Sequence, residues 1–148
     1  LKMGAIVADA SRENKEKIYE FGRLLGIAFQ LQDDYLDTFG NEEIVGKQLG
    51  NDIITNKKTY LYLKSLEVAG EETKQSLKET YNSKNKDPEQ KIDTVRNIFK
   101  NLEIDQITKT EMDKYFNLAN RSLESINVQD NRKNDLREFA FKLKERNN

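Results

Sequence analysis

Three aspartates fall within the stretch Phe29-Gln30-Leu31-Gln32-Asp33-Asp34-Tyr35-Leu36-Asp37. Asp33 and Asp37 are spaced i,i+4, so on a helix both carboxylates leave one face, a turn apart. Gln30 lies one turn before Asp33 on the same stripe. Asp34 is rotated by roughly 100° from Asp33, toward supporting contacts or a neighbouring helix. Like charges at this spacing cost a helix ~0.2–0.5 kcal/mol per pair. No Lys or Arg lies within Ala28–Phe39 to offset them. A divalent cation turns that repulsion into attraction, and Mg²⁺ is typically held by one or two carboxylates with waters and phosphate oxygens. Taken alone, the string also reads as a solvated acidic face.

The next segment supplies the opposite charge. Gly46-Lys47-Gln48-Leu49-Gly50-Asn51-Asp52-Ile53 is followed by Asn56-Lys57-Lys58-Thr59-Tyr60-Leu61. Glycines let a backbone approach an anion closely, and ammonium groups are compact phosphate binders. Each lysine alone reads as an ordinary solvated charge. Carboxylates for a metal, followed by lysines for the anion that the metal carries, form a coherent diphosphate site.

Helices must position these groups. One Pro and seven Gly in 148 residues leave few interruptions, and the long Glu/Lys/Leu-rich stretches favour helix. Ala5 to Ala10 reads as a helix end, and Ser11 as the N-cap of a long helix reaching about Thr38. Ile18, Phe21, Leu25, Ala28, Phe29, Gln32, Tyr35 and Leu36 mark its buried face. Gly22 and Gly26, one turn apart, point to close approach of another helix or a ligand. Phe39 to Thr55 reads as loop. A helix is expected from about Lys57 to Val68, burying Tyr60, Leu61, Leu63 and Leu66, and another over Glu72 to Tyr81. After polar Asn82 to Lys86, Asp87-Pro88-Glu89-Gln90 is a helix start with Asp as N-cap and Pro at N1. That helix carries Ile92, Val95, Ile98 and Phe99. Helices over about Thr110 to Ile126 and Asn131 to Lys144 complete an all-α reading, as one helical domain over residues 1–148.

Composition bounds the chemistry. Leu, Ile, Val and Phe supply about a quarter of the chain, above the ~20% below which disorder is the default. Without His there is no Ser-His-Asp or Cys-His nucleophile system, and without Cys no disulfide or thiolate. Any metal must sit on oxygen ligands, which favours Mg²⁺, Mn²⁺ or Ca²⁺. Twenty-five basic against 26 acidic residues give a net charge of −1, which argues against a nucleic-acid module. No apolar run is long enough for a membrane span, and absence of Cys is compatible with a reducing cytoplasm.

Gly26-x-x-Phe29-Gln30-x-x-Asp33-Asp34-x-Leu36-Asp37, then Gly46-Lys47-x-x-Gly50-x-Asp52-Ile53 and Lys57-x-Thr59, resembles the second aspartate-rich region of the trans-isoprenyl diphosphate synthases, the polyprenyl synthetases. Two motifs agree in content, order and spacing. Gly4-Ala5-Ile6 and Leu136-x-x-Phe139-Ala140 through Arg146 are also similar to that family. The resemblance covers essentially the whole chain, strongly over Gly4–Leu61 and weakly over the polar middle. It implies the C-terminal part of the isoprenoid synthase helical bundle. It further implies a Mg²⁺ site on Asp33, Asp34 and Asp37, supported by Asp52, and diphosphate contacts from Lys47 and Lys57. Phe29 and Gln30 would line the cavity where substrates meet, Gln30 being grouped with the two lysines as catalytic. The implied reaction condenses isopentenyl diphosphate with an allylic diphosphate. Metal and lysines pull diphosphate away, the isopentenyl double bond attacks the carbocation, and a proton is lost. A chain without His or Cys can do that.

Family members are roughly twice this length and carry an earlier Asp-rich motif on a facing helix. Lys2 does not match the lysine that precedes the second motif in the family, since it lies too close to Asp33. The chain is therefore expected to be a C-terminal half, inactive alone, from a synthase that is cytoplasmic and homodimeric when intact. Its exposed flank is expected to include the Gly22/Gly26 face, which invites self-association. Two other readings stay open: a non-catalytic helical partner or regulatory subunit, and a terpene cyclase, which would lack the Lys47/Lys57 loop. Lys142, Lys144 and Arg146 read as a solvated helix end complementing the macrodipole, or as a cover over a substrate diphosphate.

Overall fold

A computed structural model describes residues 1–41, 49–83 and 87–145. Among them every regular element is helical: α1 (Lys2–Val7), α2 (Arg12–Phe39), α3 (Asn51–Ile54), α4 (Tyr60–Val68), α5 (Glu71–Asn82), α6 (Pro88–Asn101), α7 (Ile104–Glu124) and α8 (Asn134–Glu145). The chain divides into two compact units, residues 1–30 with 111–148 and residues 31–110.

In the first unit, α2 begins where the Ser11 hydroxyl accepts the Asn14 amide, as a capping serine does. Phe21, Leu24, Leu25 and Ala28 from α2 pack with Phe116, Ala119 and Leu123 from α7 and with Ile126 and Ala140. The expected face of α2 is buried here at its centre, with Ile18 partly buried at the edge. A methyl group on Gly22 would meet the Leu1 side chain at 3.0 Å, whereas at Gly26 nothing lies within 4 Å. Among the described residues Gly22 is approached by a side chain, that of Leu1. Gly22, Gly26, Phe29, Phe139 and Leu143 line an apolar groove.

The second unit is built around Ile53, Leu61, Tyr62, Leu77, Tyr81, Ile92, Val95, Phe99 and Ile104. Asp87 caps α6 by accepting the Gln90 amide, with Pro88 in the first turn. Five expectations need correction, four of them in this unit. The span Phe39 to Thr55 is not loop throughout: Gly50 adopts φ 85° and opens the turn of α3, burying Ile53. The helix expected from Lys57 begins at Tyr60, because the Thr59 hydroxyl accepts the Tyr62 amide and leaves both lysines outside. Leu63 on that helix is exposed. The helix expected from Thr110 begins at Ile104, since Glu103 at φ 55° reverses the chain without a glycine to announce it. In the first unit, the last helix is preceded by a 3-10 turn over Asp130–Lys133, so α8 proper starts at Asn134.

Candidate functional site

The final two turns of α2 carry the carboxylates. Asp34 and Asp37 are buried and Asp33 is half-buried. Burying carboxylates is costly unless they are paired and hydrogen-bonded. The Asp52 amide donates to Asp37 Oδ2 at 2.8 Å, and the Gly50 amide donates to the Asp37 carbonyl at 2.6 Å. These bonds tie the start of α3 to the end of α2, which places Asp52 beside Asp37. The left-handed conformation of Gly50 makes this possible, and its α-carbon packs so tightly on Ile92 that a methyl there would sit 2.7 Å from that side chain.

Lys57 completes the cluster. Its Nζ donates to Asp34 Oδ1 at 3.1 Å and to Asp52 Oδ2 at 2.9 Å. The side chain is half exposed, while both carboxylates are largely buried. The Asp52 hydrogen bond raises the Lys57 pKa above its ordinary value, against a smaller opposing effect of burial. The Tyr81 phenol is also pushed up, first by burial and then by Tyr62, Asp52, Asp37 and Asp34. The carboxylate cluster already holds one positive charge, the Lys57 ammonium.

Of the residues singled out from sequence, Asp34, Asp37, Asp52 and Lys57 come together through 15- and 23-residue separations. Asp34, expected to serve supporting contacts, bonds the lysine directly. Phe29 and Gln30 lie in the first unit, half-buried and exposed respectively. Lys47 and Arg146 lie outside the described residues. Lys144 pairs with Asp113 at 2.9 Å and Lys142 with Glu138, so both serve the helix surface. Two residues that sequence reasoning passed over support the site. Arg96 Nε donates to the Thr38 carbonyl at 2.6 Å, at the end of the acidic helix. Lys91, buried on α6, donates to Asn56 Oδ1 at 2.5 Å and to the Tyr81 carbonyl at 3.1 Å. One signal was available for it: Lys91 shares the stripe of Val95 and Ile98 once Pro88 fixes the helix start, and a lysine on an apolar stripe is anomalous.

Among the described residues no three carboxylates converge as a group able to hold a metal by themselves. The donors are all oxygens, clustered beside a half-exposed cation. This suits Mg²⁺, which takes one or two carboxylates and completes its shell from water and substrate phosphate. It does not suit an all-protein cage.

Among the described residues the chain is an all-α scaffold carrying an aspartate cluster with an adjoining lysine. The polyprenyl synthetase family model matches residues 1–99, and the chain belongs to that family. It is 37% identical over 83 residues to a short chain isoprenyl diphosphate synthase of Methanocaldococcus jannaschii, covering 56% of this chain and 25% of that protein. It is 45% identical over 76 residues to a farnesyl diphosphate synthase of Bacillus subtilis, covering 51% of this chain and 26% of the relative. Among solved structures, a geranylgeranyl pyrophosphate synthase matches at 37% identity and TM-score 0.85, over 99% of this chain and 46% of that one. The chain thus spans about a quarter of the length of those curated relatives in the aligned region and just under half of that structure. No helix among the described residues is long and apolar enough to cross a membrane.

Proposed function

We propose that this chain provides the second aspartate-rich half-site of a prenyltransferase joining isopentenyl diphosphate to an allylic diphosphate, giving a longer trans-polyprenyl diphosphate. The observation that carries the reading is Lys57 held between Asp34 and Asp52 while its side chain stays half exposed. A cation so placed can keep one carboxylate and turn toward an incoming diphosphate. Asp33, Asp34 and Asp37, supported by Asp52, are the oxygen donors from which Mg²⁺ would take one or two carboxylates, its shell completed by water and diphosphate oxygens. When bound, the metal supplies charge stabilisation for the departing diphosphate.

Lys57 and Lys47 donate to the diphosphate oxygens as the allylic carbon–oxygen bond breaks and its electron pair leaves with the diphosphate. The double bond of isopentenyl diphosphate supplies the pair for the new carbon–carbon bond, and a proton is then lost. Phe29 and Gln30 line the space where the hydrocarbon chains meet. No side-chain nucleophile is needed, because preorganised positive charge at the leaving group lowers the barrier. The chain matches only part of the length of its relatives, and turnover requires the rest of such a synthase, which acts in the cytoplasm as a homodimer. By itself this chain binds diphosphate and forms no prenyl product.

Calorimetric titration of inorganic pyrophosphate into the full chain, with and without Mg²⁺, tests the reading. Heat of binding that requires Mg²⁺ and disappears in Asp33→Asn supports it. Binding that needs no metal and survives the substitution contradicts it, and so does the absence of binding.

A further inference from the structure

Lys91 is an unusual occupant of its position. It is 5% exposed, on the apolar side of α6, among Tyr81, Ile92 and Val95. Both of its hydrogen-bond acceptors are neutral oxygens, the Asn56 side-chain amide and the Tyr81 carbonyl, with the Tyr81 ring 5.8 Å away. Its ammonium also sits in the first turns of a helix, where the macrodipole disfavours positive charge. A buried ammonium without a carboxylate is costly, and burial lowers its pKa below the ordinary lysine value. A methionine of similar volume would fill the space without that cost. What the lysine adds is a bond to Asn56.

Asn56 is the residue before Lys57, and it holds φ at 59°. Left-handed backbone is uncommon outside glycine, though Asn tolerates it better than most. The reversal at Asn56 ends the α3 turn, with its amide donating to the Ile53 carbonyl at 3.2 Å and the Lys57 amide to the Asp52 carbonyl at 2.9 Å. It thereby directs the Lys57 side chain back toward Asp52 and Asp34. The same helix reaches the other half of the cluster, through Ile92 packed on Gly50 and Arg96 on the Thr38 carbonyl.

We propose that Lys91 is a positioning residue: bonded to Asn56 and to the Tyr81 carbonyl, it fixes the Asn56 reversal and so aims Lys57 at the aspartate cluster from α6. This rests on the diphosphate-binding function proposed for Lys57. Lys91 itself touches neither the carboxylates nor any reacting atom.

The test compares Lys91→Met, Asn56→Gly and the double variant of the full chain. Asn56→Gly keeps the left-handed backbone accessible while removing the side-chain acceptor, so it remains informative should Lys91→Met fail to fold. The first readout is amide hydrogen exchange by NMR. Exchange at Asp52 and Lys57 should accelerate about tenfold or more in each single variant, while Val95 and Phe99 in the body of α6 keep wild-type protection. The second is Mg²⁺-dependent pyrophosphate affinity, expected to weaken about tenfold. The double variant should be no worse than either single one. Unchanged exchange at Asp52 and Lys57, or additive losses in the double variant, overturns the proposal. A wild-type chain that binds no pyrophosphate would remove the function proposed for Lys57, whereas the exchange pattern separately reports whether Lys91 orders the segment.

Discussion

At the scale of residues, the site is an arrangement of opposed charges in which geometry decides which pairs form. Asp34 and Asp52 share the Lys57 ammonium, and Asp37 is engaged by the Asp52 amide. Replacing Lys57 by Met leaves the largely buried Asp34 and Asp52 carboxylates without their shared cation, so it should lower the urea midpoint. The same change should weaken Mg²⁺-dependent pyrophosphate binding about tenfold or more, a charged hydrogen bond being lost. Comparing the calorimetric affinity with the urea midpoint of the same variant separates the two effects. The acidic string and Lys57 were legible in the sequence because carboxylate spacing on a helix follows from helical period alone. The partnership of Asp34 with Lys57 was not, since it depends on a chain reversal at Asn56 that only a left-handed backbone permits.

Elements carry these residues to their places, and a small number of local devices decide where each element starts. Gly50 is one of them, with φ 85° and Ile92 against its α-carbon. Gly50→Ala combines an unfavourable backbone with overpacking, so it should destabilise the chain by about 1–3 kcal/mol. It should also displace Asp52, seen as a loss of pyrophosphate affinity beside the lowered urea midpoint. Asp87 is another, and Asp87→Ala should cost about 1 kcal/mol through loss of the α6 cap. That variant tests whether the helix bearing Lys91 and Arg96 needs its cap. The Asp87-Pro88 start was readable because capping is a local side-chain event. The starts of α3 and α7 were not: left-handed Gly50 looked like a simple breaker, and Glu103 gives no compositional sign of its conformation. Thr59, hidden behind two lysines, caps α4, which starts three residues later than the expected Lys57.

The whole molecule shows the same logic of local rather than global charge. With 25 basic and 26 acidic residues there is no net field, so anion affinity must come from placement. Acid stability follows from placement too. Arg137 bonds both Glu124 and Asp130, and these bonds hold each carboxyl below its ordinary value. A carboxyl with a depressed folded-state pKa stabilises the fold above its unfolded value and loses that contribution as pH falls through the folded one. Stability should therefore decline below the ordinary carboxylate range, and Arg137→Ala should make that decline shallower, a modest change visible in thermal midpoints measured against pH. The all-α class and the family were legible from residue patterns because the motif lies on one helix and the loop after it. The support from α6 was not, because it joins residues 35 apart in sequence, Asn56 and Lys91, through a buried contact. The role proposed for the Asp34, Asp52 and Lys57 cluster is to bind a prenyl diphosphate with Mg²⁺. Phosphorus NMR of an allylic diphosphate, titrated with the full chain and with Lys57→Met, tests it most directly. The expected result is shifted, broadened phosphorus lines that require Mg²⁺ and return toward free values in the variant. Unperturbed lines with the wild-type chain, or equal perturbation by both proteins, would contradict it.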